Sequence, residues 1–497
     1  MSGLAYYRSY WGVLVSLALL GISIALVQPT HFVPDEGNHW GSGHARLERM
    51  FGREGCVPTL PIHPEIRQSG HTLARYPAGD LVCEFEWKMY GDALTYPGVL
   101  LSKLILPHQA QSAVRQLQGF MLSRLLQGLM VLICLSRLGF LSRAGRRSGP
   151  LLVGAFALSP LLAQQAFGIS SDGVQLCFAV CLAAAILFWE RLTWLDAGLF
   201  LVMAWGAASK PFLLMVALPA LLVAFLYGRV RGAEPMGLRA LGQGGWQLIK
   251  PTRRPSPQNV IAWSVVVHYL AAVYFAIDFQ RPGTPGVRVV GNRAGVDPGA
   301  QFRGLFEQPD SLIDLIRSLP FSPFKLADYV GLLGQLDTRM SAAVSNTYVR
   351  FVLFALLIEV ALLVRSFRAL PAAERAQRWR RAPWASLGIF LGGLGALGNV
   401  VFVVAVLYAM WTPVGLPIAE GVQIRYWFAS NIVLLAAFAG GLDVMFGAKP
   451  EPQARDDAAI AGSRWAALLA SSAPALVLAL TLPYVARVFV DLVRRYG

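Results

Sequence analysis

The sequence predicts an all-α polytopic membrane protein, with about 11–12 transmembrane helices in one integral domain over residues 1–497. Three observations carry that prediction. The chain is 55% hydrophobic and only 14% charged, with a mean hydropathy of +0.52, too apolar for a soluble protein of this length. Apolar runs of roughly 17–25 residues, the length that crosses a bilayer as a helix, recur along it. Arg and Lys gather in alternate loops between those runs, as they do on the cytoplasmic side of a membrane. The same rule accounts for the formal net charge of +15 without nucleic acid, since no basic patch with interleaved aromatics is present.

The first apolar run spans Trp11 to about Gln28. It lacks a small-residue cleavage site and runs into Gln-Pro-Thr-His, so it reads as a retained span rather than a removed signal. Next comes His31-Phe-Val-Pro-Asp-Glu-Gly-Asn-His-Trp40, which puts Asp35 and Glu36 where a membrane helix meets water. Pro34 suits a first helical turn, where its missing N–H has no partner, and carboxylates there favour the positive end of the helix dipole. On such a helix Asp35 and His39 share one face. These signals fit a capped helix start after a span, and equally a carboxylate at a membrane-embedded active site. The rest of the chain has to decide.

The loop after the first span, about residues 29–96, is mildly acidic and rich in Pro and Gly, which suits a compact lid on the non-cytoplasmic side. Tyr96 to Pro107 is too short to span and reads as re-entrant or interfacial, so the first outer loop extends over 29–118. A span at about 119–141 ends in Arg143, Arg146 and Arg147, a cytoplasmic turn. Spans at about 150–167 and 173–189 flank an outer tip, Gly168-Ile-Ser-Ser-Asp-Gly173, carrying Asp172. Spans at about 194–208 and 211–228 flank Ser209-Lys210-Pro211, also outside by alternation. A lone lysine there either snorkels to the interface or contacts an anion. The Arg-rich stretch 229–258 is cytoplasmic, a span follows at about 259–279, and residues 280–346 form a second outer loop holding Asp337. Spans at about 348–364, 384–410, 427–446 and 464–487 complete a set of about eleven, with Gln423-Ile-Arg425-Tyr426 outside. An odd count puts the carboxyl-terminal end outside, where Arg494 and Arg495 run against the charge rule.

Asp35, Asp172, Lys210, Asp337 and Arg425 therefore segregate to one face. A carboxylate at a helix start can serve as a general base for a hydroxyl within hydrogen-bond reach. Arg binds two phosphate oxygens at once, whereas Lys acts as a point charge. Acid and cation on one face are what transfer of a group from a phosphate leaving group to an alcohol requires.

Pro34-Asp35-Glu36-Gly-Asn-His39, Ser171-Asp172, Lys210-Pro211, Gly331-Leu-Leu-Gly-Gln-Leu-Asp337-Thr338 and Gly421-Val-Gln423-Ile-Arg425-Tyr426 follow one another over most of the chain. In that order they resemble the motif series of a bacterial multispanning membrane family catalogued as domain of unknown function two-one-four-two, which in turn resembles the C-type (GT-C) membrane glycosyltransferases. Gln335, Ile424 and Ala429-Ser430 depart from the usual pattern, which more often has Trp, Gly and a Pro there. The resemblance implies a GT-C-like fold in the bacterial inner membrane. It also implies an inverting transferase using a polyprenyl-phosphate-linked sugar, with its active site on the periplasmic side. The acceptor would be a glycan or lipid of the cell envelope, as in polysaccharide or lipopolysaccharide decoration. Asp35 would be the base, with Glu36 as its neighbour. Lys210 and Arg425 would steady the leaving phosphate. His39, Asp172, Asp337 and Gln423 would be substrate or orientation contacts. Tyr426 would be either a sugar-stacking ring or an interface aromatic.

Other readings stand beside this one. His31, His39, His44 and Glu36 offer a possible divalent metal site, although their spacing is not a zinc signature. Cys56 and Cys83 share the first outer loop and could pair there. Cys134, Cys177 and Cys181 fall in apolar runs as small core residues. A transporter or flippase for a lipid-linked glycan would show internal repeats and charges at mid-span, and the charges here sit at one face instead. A scaffold would leave those charges incidental.

Overall fold

The computed structural model describes residues 3–28, 36, 39–41, 57–59, 82–84, 86–88, 97–107, 113–143, 149–232, 255–280, 287–289, 295–330, 332–333, 338–447 and 464–496. Asp35, Asp337, His31, His44 and Cys56 lie outside the described residues. Among the described residues nine helices are long and apolar enough to cross a membrane, so the chain is a multipass membrane protein.

The helices in chain order are α1 (Gly3–Val27), α2 (Pro97–Ile105), α3 (Ala113–Arg143), α4 (Pro150–Ala157), α5 (Pro160–Ala166), α6 (Ser171–Phe188), α7 (Trp194–Ala208) and α8 (Leu214–Gly232). They continue as α9 (Pro257–Gln280), α10 (Pro298–Glu307), α11 (Asp310–Arg317), α12 (Ala342–Arg368), α13 (Ala372–Trp379), α14 (Ala382–Trp411), α15 (Phe428–Phe446) and α16 (Arg464–Tyr496). Two of the expected spans take shorter forms. The run at 150–167 breaks into α4 and α5 at Ser159-Pro160, because proline has no N–H to continue the ladder. Ser159 then caps α5 by accepting the Leu162 N–H at 3.4 Å. The run at 194–208 is the 15-residue helix α7, started by a Thr193–Asp196 capping box.

Helix α6 sits at the centre, packed against α3, α7, α8 and α15. The first helix is tied in at both ends. Near its start, Tyr6 Oη donates to Glu359 of α12 at 2.6 Å and accepts the Leu151 N–H at 3.0 Å, while Glu359 also accepts the Gly149 N–H at 3.0 Å. Further along, Gly21 of α1 and Gly128 of α3 enclose the ring of Phe167. A Cβ at either glycine would lie 2.1 or 2.3 Å from ring carbons. Asp491 near the end of α16 accepts the Ser341 N–H that opens α12, at 3.2 Å. The carboxyl-terminal end of α16 thus lies beside the start of α12.

Short strands stitch the loops. β1 (Val57–Thr59) pairs antiparallel with β2 (Val82–Glu84), which places Cys83 opposite Pro58. β3 (Glu86–Lys88) pairs parallel with β4 (Val287–Val289). β5 (Leu332–Leu333) and β6 (Thr338–Arg339) flank Asp337. Cys134 and Cys177 are buried free thiols and Cys181 is half-buried, as core residues should be.

Candidate functional site

The site forms where three helix ends meet. Ser170 caps α6 by accepting the Asp172 N–H at 3.1 Å, which fixes Asp172 in the first turn at the positive end of the helix dipole. Pro211 ends the α7 run, and Lys210 stands at that break. Gln175 of α6 holds the break in place. Its amide donates to the carbonyl of Lys210 at 2.7 Å and also to that of Ala207. Arg425 and Tyr426 lie in a short 3₁₀ turn leading into α15. Gly421 allows the approach to that turn, with φ +77° and a Cβ position only 2.8 Å from the Trp411 ring.

These ends bring two cations onto one carboxylate. Lys210 Nζ pairs with Asp172 Oδ1, and Arg425 Nε lies 3.4 Å from Oδ2. All three side chains are buried, at 2%, 6% and 4% exposure for Lys210, Asp172 and Arg425. Aromatic faces surround the cluster. Lys210 Nζ is 4.7 Å from the Tyr426 ring centroid and 5.1 Å from that of Phe212, and Arg425 lies 5.4 Å from Tyr426. The cleft beside them is lined by Asp172, Gln175, Phe212, Arg425, Tyr426 and Phe428. Buried oxygens of Ser171, Gln175 and Gln423 make no hydrogen bond among the described residues.

The chain after the first span reaches the same place. His39 is buried and within electrostatic reach of Asp172. Glu36 is fully buried, and Arg124 of α3 grips it in a fork. Nε donates to Oε1 at 2.8 Å and Nη2 to Oε2 at 2.6 Å. Glu36 Oε1 also accepts the Ile169 N–H at 3.1 Å, in the same outer tip as Asp172. Arg124 Nη1 donates to the last carbonyls of the first span, Ala25 at 2.9 Å and Gln28 at 2.8 Å. One arginine therefore joins the end of α1, the start of the first outer loop and the Asp172 tip.

Sequence reasoning placed Asp172, Lys210, Arg425 and Tyr426 on one face, and the structure brings them into contact. It adds Arg124, Gln175 and Phe212. Arg124 carried a signal: a charge inside an apolar run needs a partner, and faces the protein rather than lipid. Gln175 and Phe212 carried none, because neither residue type is unusual in a helix. Glu36, expected beside the base, has both oxygens occupied by Arg124. Among the described residues no three His, Cys, Asp or Glu side chains gather to hold a metal ion.

The fold and site define a polytopic helical membrane protein with a buried, cation-rich, aromatic-lined cleft at one end of its bundle. No family model matches the chain, and no curated protein matches it. Among solved structures it is similar to ArnT from Cupriavidus metallidurans in the apo state, at 15% identity over 87% of this chain and 76% of that one. The TM-score is 0.27, which carries no argument for either fold or activity.

Proposed function

We propose that the chain is a membrane glycosyltransferase that moves a sugar from a polyprenyl-phosphate donor to a glycan or lipid acceptor at the periplasmic face. The observation that carries the reading is the convergence of Lys210 and Arg425 on Asp172 from separate helix ends, beside a cleft lined by aromatic rings. In this reading Asp172 holds the two cations in register, and the cations face the oxygens of the lipid phosphate. Asp35 removes the proton from an acceptor hydroxyl. The hydroxyl oxygen then attacks the anomeric carbon, the carbon–oxygen bond to phosphate breaks, and polyprenyl phosphate leaves with inversion at the sugar. Lys210 and Arg425 stabilise the charge growing on that phosphate. Glu36 acts through Arg124 as a positioning group that sets the start of the loop bearing Asp35. His39, Asp337 and Gln423 orient the sugar. Tyr426 offers a ring beside the cations for stacking on the sugar.

The test is Asp35→Asn in a deletion strain, read by mass spectrometry of surface glycan and by consumption of lipid-linked sugar in membranes. The expected result is loss of the modification at normal protein level. Unchanged glycan composition and sugar consumption would remove the base and the proposal with it.

A further inference from the structure

At the other end of the bundle from Asp172, two arginines are buried together. Arg378 lies in the last turn of α13 and Arg381 at the N-cap of α14, at 6% and 4% exposure. Among the described residues neither guanidinium makes a hydrogen bond or ion pair, and Arg381 Nε is buried with no acceptor. A buried N–H left without an acceptor, as Arg381 Nε is among the described residues, is costly. The nearby acids do not fill the role. Asp443 attracts Arg378 but its ion pair is with Arg231, at 3.3 Å from Nε. The rest of Arg231 is spent on the carbonyls of Ile186, Leu187 and Gly440. Glu374 also attracts Arg378, but from an exposed position on α13. Among the described residues the charged group that acts on Arg381 is Arg378, and the two repel.

The surroundings fit a phosphate at a membrane surface. The N-terminus of α14 has no side-chain cap, and the 30-residue helix adds its positive dipole end there. Trp379, 56% exposed, packs edge-on against Phe367 at 5.9 Å and Phe446 at 6.0 Å. A half-exposed tryptophan on a short basic helix between two spans suits headgroup depth. We infer that Arg378 and Arg381 form a phosphate-binding site on the face remote from Asp172, filled by the phosphodiester of an anionic phospholipid or by free phosphate. Each guanidinium offers a planar fork to phosphate oxygens, and the bound anion replaces the missing counter-charge. Arg425 and Asp443 bracket the 3₁₀ turn and α15, about 27 Å apart at helical rise, so this site and the candidate active site do not share a ligand.

The test uses the full chain in neutral detergent. Thermal unfolding is followed with sodium phosphate against sodium chloride at equal ionic strength. Native mass spectrometry measures retention of phosphatidylglycerol against phosphatidylcholine. The wild type should be stabilised by phosphate or should retain phosphatidylglycerol over phosphatidylcholine. R378Q/R381Q should bind at least tenfold more weakly and, without anion, be no less stable than wild type, because a repulsion has been removed. R375Q/R380Q removes the same charge from the same segment and should bind as wild type. R381K, which keeps the charge and loses the fork, should weaken binding about threefold or more and stands in if the double variant does not fold. A response to phosphate assigns a free anion; retention of phosphatidylglycerol alone assigns a lipid headgroup. No response of the wild type to either would overturn the site, as would equal loss in both double variants.

Discussion

Replacing Arg124 by Met should be among the most damaging single changes in this protein. The guanidinium makes four donor contacts, two to the Glu36 carboxylate and two to the carbonyls of Ala25 and Gln28. Its side chain is 1% exposed and that of Glu36 is 0% exposed. Arg124→Met would leave a buried carboxylate with the Ile169 N–H as its remaining described donor. Breaking a buried pair from one side costs about 3–5 kcal/mol, and each stranded carbonyl adds about 1–3 kcal/mol where water does not reach it. The expected loss is about 5 kcal/mol or more, read from SDS-titration unfolding in mixed micelles. Glu36→Leu combined with Arg124→Met removes both charges and should recover about 2 kcal/mol or more of that loss, because an apolar pair of similar size is often no worse than a buried ion pair. Additive effects of the two single changes, or a loss under about 1 kcal/mol for Arg124→Met, would refute the argument that this pair holds the loop to the tip.

The remaining predictions concern the site and its frame. Lys210→Met should lower sugar-transfer turnover about 100-fold while the protein still folds, since Arg425 continues to balance Asp172; a loss within threefold would mean that Lys210 does not face the leaving group. Gly128→Ala drives a methyl into the Phe167 ring, at 2.3 Å before relaxation. It should destabilise by about 1–3 kcal/mol and reduce transfer further by moving the neighbouring tip; wild-type stability and turnover would show that the ring has room to shift.

Much of this arrangement can be read from residue order. Span positions follow from apolar length, and the placement of Asp172, Lys210 and Arg425 on one face follows from alternation alone. Contact between them does not, because nothing in the spacing says that α6, the α7–α8 break and the 3₁₀ turn before α15 are neighbours. The break at Ser159-Pro160 was available from proline chemistry, yet its apolar flanks read as one span. Glu36 shows the opposite problem. Beside Asp35 in sequence it looks like a second catalytic acid, but its carboxylate meets Arg124. The two arginines Arg378 and Arg381 counted in the sequence only as part of a basic cluster. Their burial depends on the fold of α13 against α12 and α15.

The enclosure of α6 has a consequence for the path of a lipid substrate. In its apolar window 94% of the residues are buried, against 33% in the windows of α12 and α16. Acyl chains therefore meet the outer helices rather than the one that bears Asp172. A membrane-borne donor must thread its headgroup inward while its tail stays along other walls, so a photoreactive lipid should label α12 or α16 and leave α6 unmarked.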